Sequence, residues 1–385
     1  MNDRMFVILL AAGSLSWFSL APGSQAADTS DFWFARFQSV TTADLTAVAY
    51  GNGLFIAMVE DGSAIRSTNG VDWIAANATG ANTYFEAMTF GGGAFVAAGD
   101  NGVLVTTTDG LSWSMRKPVG TEVNFFDVTY GSGRFVAVTF DGQFVTSPDG
   151  KEWSVQNRGD LPTLDVLQSI TYGNGLYVIT GRSAAPIQPI IYTSADLTSW
   201  ISHDPGTTNS LFDVAAGDGL FAAVGANGVI VTSSDGAEWR PRVSPATGNL
   251  WSIVRGHGQF CAVGFGGNAF TSVDGITWKP HNLGIALLLF GVTAGQQTFL
   301  GVGTSGRLRQ SDLIINETRP GLRIALAGDQ AIVSWPLAFS GFTLEDNPDL
   351  GPGNWTAVLT SVIDTSTEHT VTVPAMGKNS FRLKQ

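Results

Sequence analysis

One feature limits the folds open to this chain more than any other: a ten-residue segment that returns seven times. Residues 48–57 read Val-Ala-Tyr-Gly-Asn-Gly-Leu-Phe-Ile-Ala. They recur at 88–97 and 128–137, and again from Ile170, Val214, Ile253 and Val292. The first glycine of each copy is Gly51, Gly91, Gly131, Gly173, Gly217, Gly256 or Gly295, so the spacings are 40, 40, 42, 44, 39 and 39 residues. A period of that length marks a supersecondary unit that cannot bury its apolar face alone and needs neighbouring copies to complete its core.

Each copy reads as four short strands. An apolar residue stands six positions before the marker glycine (Leu45, Phe85, Phe125, Leu167, Leu211, Leu250, Leu289), and Val, Met or Ile stands three before it. This first strand therefore has both faces covered. Asn52-Gly53, Asn174-Gly175 and Asp218-Gly219 are two-residue hairpin turns, because these residues tolerate positive φ. A second hairpin follows at Asp61-Gly62, Asn101-Gly102, Asp141-Gly142, Asn227-Gly228 and Ser305-Gly306. The third strand runs into a Thr/Ser-x-Asp-Gly turn, and a Trp opens the fourth. Four strands in about forty residues, seven times over, predict an all-β, seven-bladed β-propeller over residues 31–317.

The Trp column addresses closure. Trp73, Trp113, Trp153, Trp200, Trp239 and Trp278 stand four residues after their turn Asn or Asp, while the seventh copy has Asn316 in that place. Trp33 precedes Gly51 by 18 residues, the distance from Trp73 to Gly91 and from Trp113 to Gly131. The segment 31–37 is thus expected to supply the outer strand of the last blade, which removes an open sheet edge. The competing reading uses 313–316 for that strand. The Trp column is expected to fill the wide outer rim, and Asp109, Asp149, Asp196, Asp235 and Asp274 to cap the turns before it by accepting backbone N–H bonds.

The turn in 146–153, Thr-Ser-Pro-Asp-Gly-Lys-Glu-Trp, resembles the Asp-box (bacterial neuraminidase) repeat Ser-x-Asp-x-Gly-x-x-Trp, with one residue fewer between Asp and Gly. The fourth copy has Leu197 for the glycine and the first has Asn69 for the Asp. The resemblance implies a sialidase-superfamily-like propeller whose Asp turns are structural and lie opposite the ligand face. A sialidase-like hydrolase would also need three arginines, a Tyr/Glu pair and a catalytic Asp at the blade mouths. Arg116, Arg158, Arg182 and Arg242 are available there, but no Arg-Ile-Pro element anchors them. A further resemblance is to photosystem II assembly-factor propellers, whose basic patch has no counterpart in this sequence. Past residue 321 the period stops, and residues 322–385 alternate in short runs that resemble a small immunoglobulin- or fibronectin-like β-sandwich, read as a spacer or cap.

Composition excludes several classes. Acidic residues outnumber basic ones 32 to 20, and the net charge of −12 argues against nucleic acid. Residues 1–26 have the layout of a signal peptide, with an apolar run over 5–20 and small residues at Ser24 and Ala26, which predicts a secreted, periplasmic or cell-surface protein without an integral span. The lone Cys261 precludes an internal disulfide and replaces an aliphatic residue of other copies. His203, His257, His281 and His369 have no metal-ligand spacing, and no metal or other cofactor is expected. Residues 301–306 match a GxGxxG string but occupy the second-hairpin column, where no helix is expected to follow.

Two groups of residues are candidates for binding. Asp61, Asp100 and Asp141 fall in three consecutive second hairpins, either as a carboxylate cluster near the axis or as turn formers. The column five before the marker glycine reads Thr46, Glu86, Phe126, Gln168, Phe212, Trp251 and Phe290; it varies in chemistry while its neighbours stay apolar. Its aromatics can stack on sugar rings, hold a peptide or pack between blades, and Arg182 stands near the same face. Asp127 and Asp213, one position later, are expected beside the channel. The expected function is non-catalytic binding of a protein or glycan by a monomer, with a glycan hydrolase or an assembly scaffold as alternatives.

Overall fold

The computed structural model describes residues 33–36, 40–76, 79–118, 123–162, 165–183, 186–283, 288–311, 323–327, 330–336, 343–347, 356–364, 368–374 and 380–384. The proposed signal peptide and the alternative closing strand at 313–316 lie outside them. The chain divides into two units, residues 28–314 on the one hand, and 1–27 with 315–385 on the other.

The first unit is a seven-bladed β-propeller. Its blades are four-stranded antiparallel sheets spanning 45–75, 85–116, 125–155, 166–203, 211–241, 250–282, and 289–311 joined by Trp33–Arg36. In the seventh blade Trp33–Arg36 is the outer strand, antiparallel to Leu308–Ser311, with Trp33 opposite Ser311 and Arg36 opposite Leu308.

The apolar residues of the repeat fill the spaces between blades. Among the described residues seven buried clusters occur, one at each blade-to-blade interface; Leu45, Phe55, Ile65 and Trp73 of the first blade meet Leu300, Val302 and Leu308 of the seventh. A core shared in this way makes each blade depend on its neighbours. The marker glycine is required by close approach. A Cβ on Gly51 would lie 2.0 Å from the Phe90 ring of the next blade, one on Gly131 2.2 Å from Tyr172, and one on Gly295 2.3 Å from Tyr50, which returns the series to the first blade. Cys261 is wholly buried among Val263, Leu289 and Phe299. The 301–306 string runs from a strand, Thr298–Gly303, into a three-residue 3₁₀ turn.

The outer turns repeat the same bonds. Ser233 Oγ accepts the Gly236 N–H at 2.9 Å, Asp235 Oδ1 accepts the N–H groups of Ala237 and Glu238, both at 2.9 Å, and Trp239 Nε1 donates to the Gly236 carbonyl at 2.9 Å. Asp109, Asp149, Asp196 and Asp274 hold the equivalent bonds. These N–H donors hold all five carboxyls below their usual range. The fourth turn departs: Leu197 adopts φ +66° where others have glycine, and the Trp200 indole N–H is buried without a partner among the described residues.

The second unit holds a four-stranded antiparallel sheet, ordered Arg323–Ala327, Gln330–Pro336, Glu368–Pro374, Ile363–Asp364, and a three-stranded one, ordered Thr356–Ala357, Thr343–Asn347, Ser380–Lys384. Ala331, Val333, Leu344, Val371 and Val373 are buried. Among the described residues no helix is long and apolar enough to cross a membrane.

Candidate functional site

A channel of about 410 Å³ runs along the axis and is lined by the innermost strands of all seven blades. What gives its mouth a varied chemistry is a β-bulge repeated in every blade. In the third blade Phe125 pairs with Thr139 and Asp127 with Val138, so Phe126 is the extra residue that the ladder skips. The same shift makes Thr46, Glu86, Gln168, Phe212, Trp251 and Phe290 the bulged residues of the other blades. A bulged residue has no cross-strand partner, so its side chain is free of the alternation that fixes its neighbours. All seven line the channel.

The second hairpins stand at this same end. The N–H groups of Glu60, Asp100, Phe140, Ala226, Phe265 and Thr304 donate to the carbonyls of Asp44, Tyr84, Asn124, Ser210, Asn249 and Leu288, just ahead of the innermost strands. The mouth thus gains two aromatics that the repeat pattern alone does not single out, Phe140 at 45% exposure and Phe265 at 67%. Each directly precedes a hairpin glycine turn, Asp141-Gly142 or Gly266-Gly267, and that position was the available signal. The Phe140 ring meets Phe126 edge-on at 5.5 Å, and Phe212 lies parallel to Trp251 with ring centres 4.6 Å apart. Trp251 remains 37% exposed. The Phe212–Trp251 stack joins the fifth and sixth blades, while Trp251, Phe140 and Phe265 keep exposed surface.

The mouth is chemically divided. Blades one and two bring Asp44, Glu60, Tyr84, Glu86 and Asp100. Burial, with the Asp100 charge added, raises Glu86 to about 7. Burial raises Tyr84 to about 12, helped by the charges of Glu86, Asp44, Glu60 and Asp100. Asp100 is itself raised by burial, and its Oδ1 is buried without a hydrogen-bond donor among the described residues.

The candidate cluster of Asp61, Asp100 and Asp141 does not form on the axis: none of the three lines the channel. Asp61 accepts from the Ser63 N–H and hydroxyl, and Asp141 from Thr139 Oγ1 and Gln143 Nε2, which makes both turn formers. Of the three, Asp100 alone acts on a channel-lining residue, raising Glu86 through its charge. Arg182 ends the second strand of the fourth blade, opposite Val166 and Pro189, and is likewise absent from the lining.

Deeper in the channel, the position after the bulge sews successive blades together. Asp127 Oδ2 accepts the Ile170 N–H at 2.8 Å, and Asp213 Oδ2 accepts the Ile253 N–H at 2.8 Å. Ser169 Oγ accepts the Val214 N–H and Ser252 Oγ the Val292 N–H, both at 3.3 Å. Ser169 Oγ also lies 2.6 Å from Asp127 Oδ2 and 2.8 Å from Asp213 Oδ1. A hydroxyl carries one hydrogen and cannot donate to both, so the trio is satisfied when the two carboxyls share one proton. Burial and the Asp213 charge push Asp127 above the carboxylate range, and burial does the same to Asp213. With their oxygens committed to backbone N–H groups, these channel-lining aspartates hold successive blades together. Among the described residues no group of three His, Cys, Asp or Glu is placed to hold a metal.

By sequence, no protein-family model and no curated protein matches the chain. Solved structures do match in fold. YCF48 from Cyanidioschyzon merolae aligns at TM-score 0.57 and 16% identity, covering 73% of this chain and 98% of that one. A YCF48 bound to D1 peptide aligns at 0.59 and 18%, covering 73% and 94%. Virginiamycin B lyase from Staphylococcus aureus, catalytically inactive and with quinupristin, aligns at 0.65 and 9%, covering 74% and 99%. At such identities the likeness establishes the β-propeller fold alone.

Proposed function

We propose that this propeller is a non-catalytic binding protein that receives a segment of another protein on the mouth ringed by Glu86, Phe126, Gln168, Phe212, Trp251 and Phe290. The observation that carries the reading is the repeated bulge: seven blades place their most varied residue around one mouth, where Trp251, Phe140 and Phe265 stay exposed. That a YCF48 propeller is bound to a D1 peptide supports a peptide as the kind of partner a propeller of this fold can take. We further propose that the protein acts as a monomer after export through residues 1–26, with the terminal β module as a spacer or cap.

The test is selection from a displayed random-peptide library against the full chain. Binders should be recovered, and Trp251→Ala and Phe126→Ala should each weaken them while leaving Tm within a few degrees. Failure to recover any binder, or binders indifferent to both changes, would defeat the reading. One observation favours the rival glycan hydrolase, namely that Glu86 is raised to about 7 beside Asp100, as an acid catalyst requires. Turnover of fluorogenic glycosides that is lost in Glu86→Gln would establish it instead.

A further inference from the structure

We infer that the segment received at this mouth is a basic one: it places a Lys or Arg against Glu86 and Asp100 and an adjoining aromatic or aliphatic side chain on the rings of Phe126, Phe212 and Trp251. The inference rests on the binding reading above and adds the chemistry of the partner.

The mouth is partitioned into an apolar part and an acidic part. Its apolar part lies on the third, fifth and sixth blades, with Gln168 of the fourth between them: Phe126 carries Phe140 on its edge, Phe212 carries Trp251 on its face, and Phe265 stands out at the sixth blade's second hairpin. Such a stretch of exposed rings accepts any flat or apolar side chain and selects weakly by itself. Selection comes from the other part. The first and second blades present Glu86 from a bulge, Glu60 and Asp100 from second hairpins, and Asp44 just ahead of the innermost strand. The bulge column contains no Lys or Arg, and the one cation at the matching hairpin position is Arg182 of the fourth blade, which is not adjacent to the acidic first and second blades. Asp100 Oδ1 is buried with no donor, an acceptor whose desolvation nothing among the described residues offsets. A primary ammonium or a guanidinium beside the exposed Glu86 carboxyl supplies a donor to it and a counter-charge to Asp100.

Neighbouring carboxyls that lack a counter-ion disfavour one another's ionisation, and a cation between them removes that penalty. An acidic or phosphorylated segment would meet like charge at the same place. A neutral glycan would stack on the rings but bring the acidic part no counter-charge. Charge complementarity therefore favours a basic peptide. The rings add cation–π attraction for the same side chains.

The experiment uses the full chain and three sets of fluorescein-labelled hexapeptides, blocked at both ends. One set carries Lys or Arg beside Trp, Phe or Leu; the second replaces the basic residue with Gln; the third replaces it with Glu. Binding is read by anisotropy at pH 7.5, for wild type, Glu86→Gln and Trp251→Ala, with Tm recorded for each. The basic set should bind best, and its Gln counterpart should be weaker by roughly tenfold, the scale of one lost charge-assisted hydrogen bond. Glu86→Gln should weaken only the basic set, and Trp251→Ala should weaken the basic and Gln sets alike. Equal binding of the Gln or Glu set, or a Glu86→Gln protein that still prefers the basic set by the same factor, would overturn the inference while leaving peptide binding intact. If no set binds, or only a glycan array does, the binding reading falls with it.

Discussion

The outer turns and the axial channel use the same side chain to opposite electrostatic effect. Asp235 on the outer rim receives two backbone N–H bonds in a solvated turn, and these donors lower its pKa. Asp213 also receives two, from Val214 and Ile253, yet burial raises it. Desolvation decides the difference, because both carboxylates have comparable donors but only one keeps its water. The outer device is repeated with little change from blade to blade. The channel device is confined to blades three to six, since the equivalent positions are Ala47, Ala87 and Gly291 elsewhere.

The largest effect should come from the outer rim. Trp239 is 6% exposed, packs 6.2 Å from Phe221 and donates to the Gly236 carbonyl. Trp239→Ala should cost about 3–5 kcal/mol in denaturant unfolding, the scale of a truncated core aromatic. A loss below about 1 kcal/mol would show that the outer rim is not where the blades are secured.

Next is Leu197→Gly. Restoring the glycine relieves a left-handed backbone worth about 1–2 kcal/mol. It also removes a buried leucine that packs with Leu161 and Trp200, at about 2–5 kcal/mol. The second effect is larger, so the change should destabilise the fourth blade despite matching the other turns. A stabilised variant would reverse that weighting.

The channel carboxyls should set how stability responds to pH. A carboxyl raised in the folded state binds its proton more tightly there than in the unfolded chain. Stability is therefore greatest below the unfolded value of about 4 and falls as pH rises through the raised folded one. Asp127 and Asp213 act in this direction. The outer-turn carboxyls act oppositely and only in acid: their contribution is present above about 4 and is lost as pH falls through their lowered values. Tm followed from pH 3 to 8 should thus rise and then decline. Asp213→Asn should flatten the decline while lowering Tm at its maximum, because an amide has one oxygen where Asp213 uses two. An unchanged decline would show that the Ser169 trio does not share a proton.

How far the residues disclosed this differs between the two regions. The outer rim was legible because each of its demands is local. An Asp two or three residues before the N–H groups it accepts is a spacing, and the marker glycine recurs with the period, set against a ring of the next blade in four of the seven blades. Trp33 stands 18 residues before Gly51, and Trp33–Arg36 pairs with Leu308–Ser311. The mouth was legible as a column of varied residues, but its bulge was not, since a skipped ladder position leaves no compositional mark. Asp61 and Asp141 read equally as axial carboxylates or as turn formers, because a hairpin turn and a binding loop select the same residues, and their bonds make them turn formers. The Asp127–Ser169–Asp213 trio joins blades through residues 42 and 44 positions apart, a distance at which the period shows adjacency of blades but not which atoms meet.

The smallest effect on stability should come from the mouth, and its smallness is the informative part. Trp251 is 37% exposed and stacks on Phe212 within the fold, so Trp251→Ala removes one stacked pair, worth about 0.5–1.5 kcal/mol. The outer tryptophan and the mouth tryptophan then differ by several-fold in what they contribute to folding, though both are conspicuous in sequence. If Trp251→Ala destabilised the ring as much as Trp239→Ala, the mouth would be a second core, and its rings would have no surface left to offer a partner. A near-native Tm leaves an exposed stacked pair that folding does not require, which is the condition a binding surface must meet.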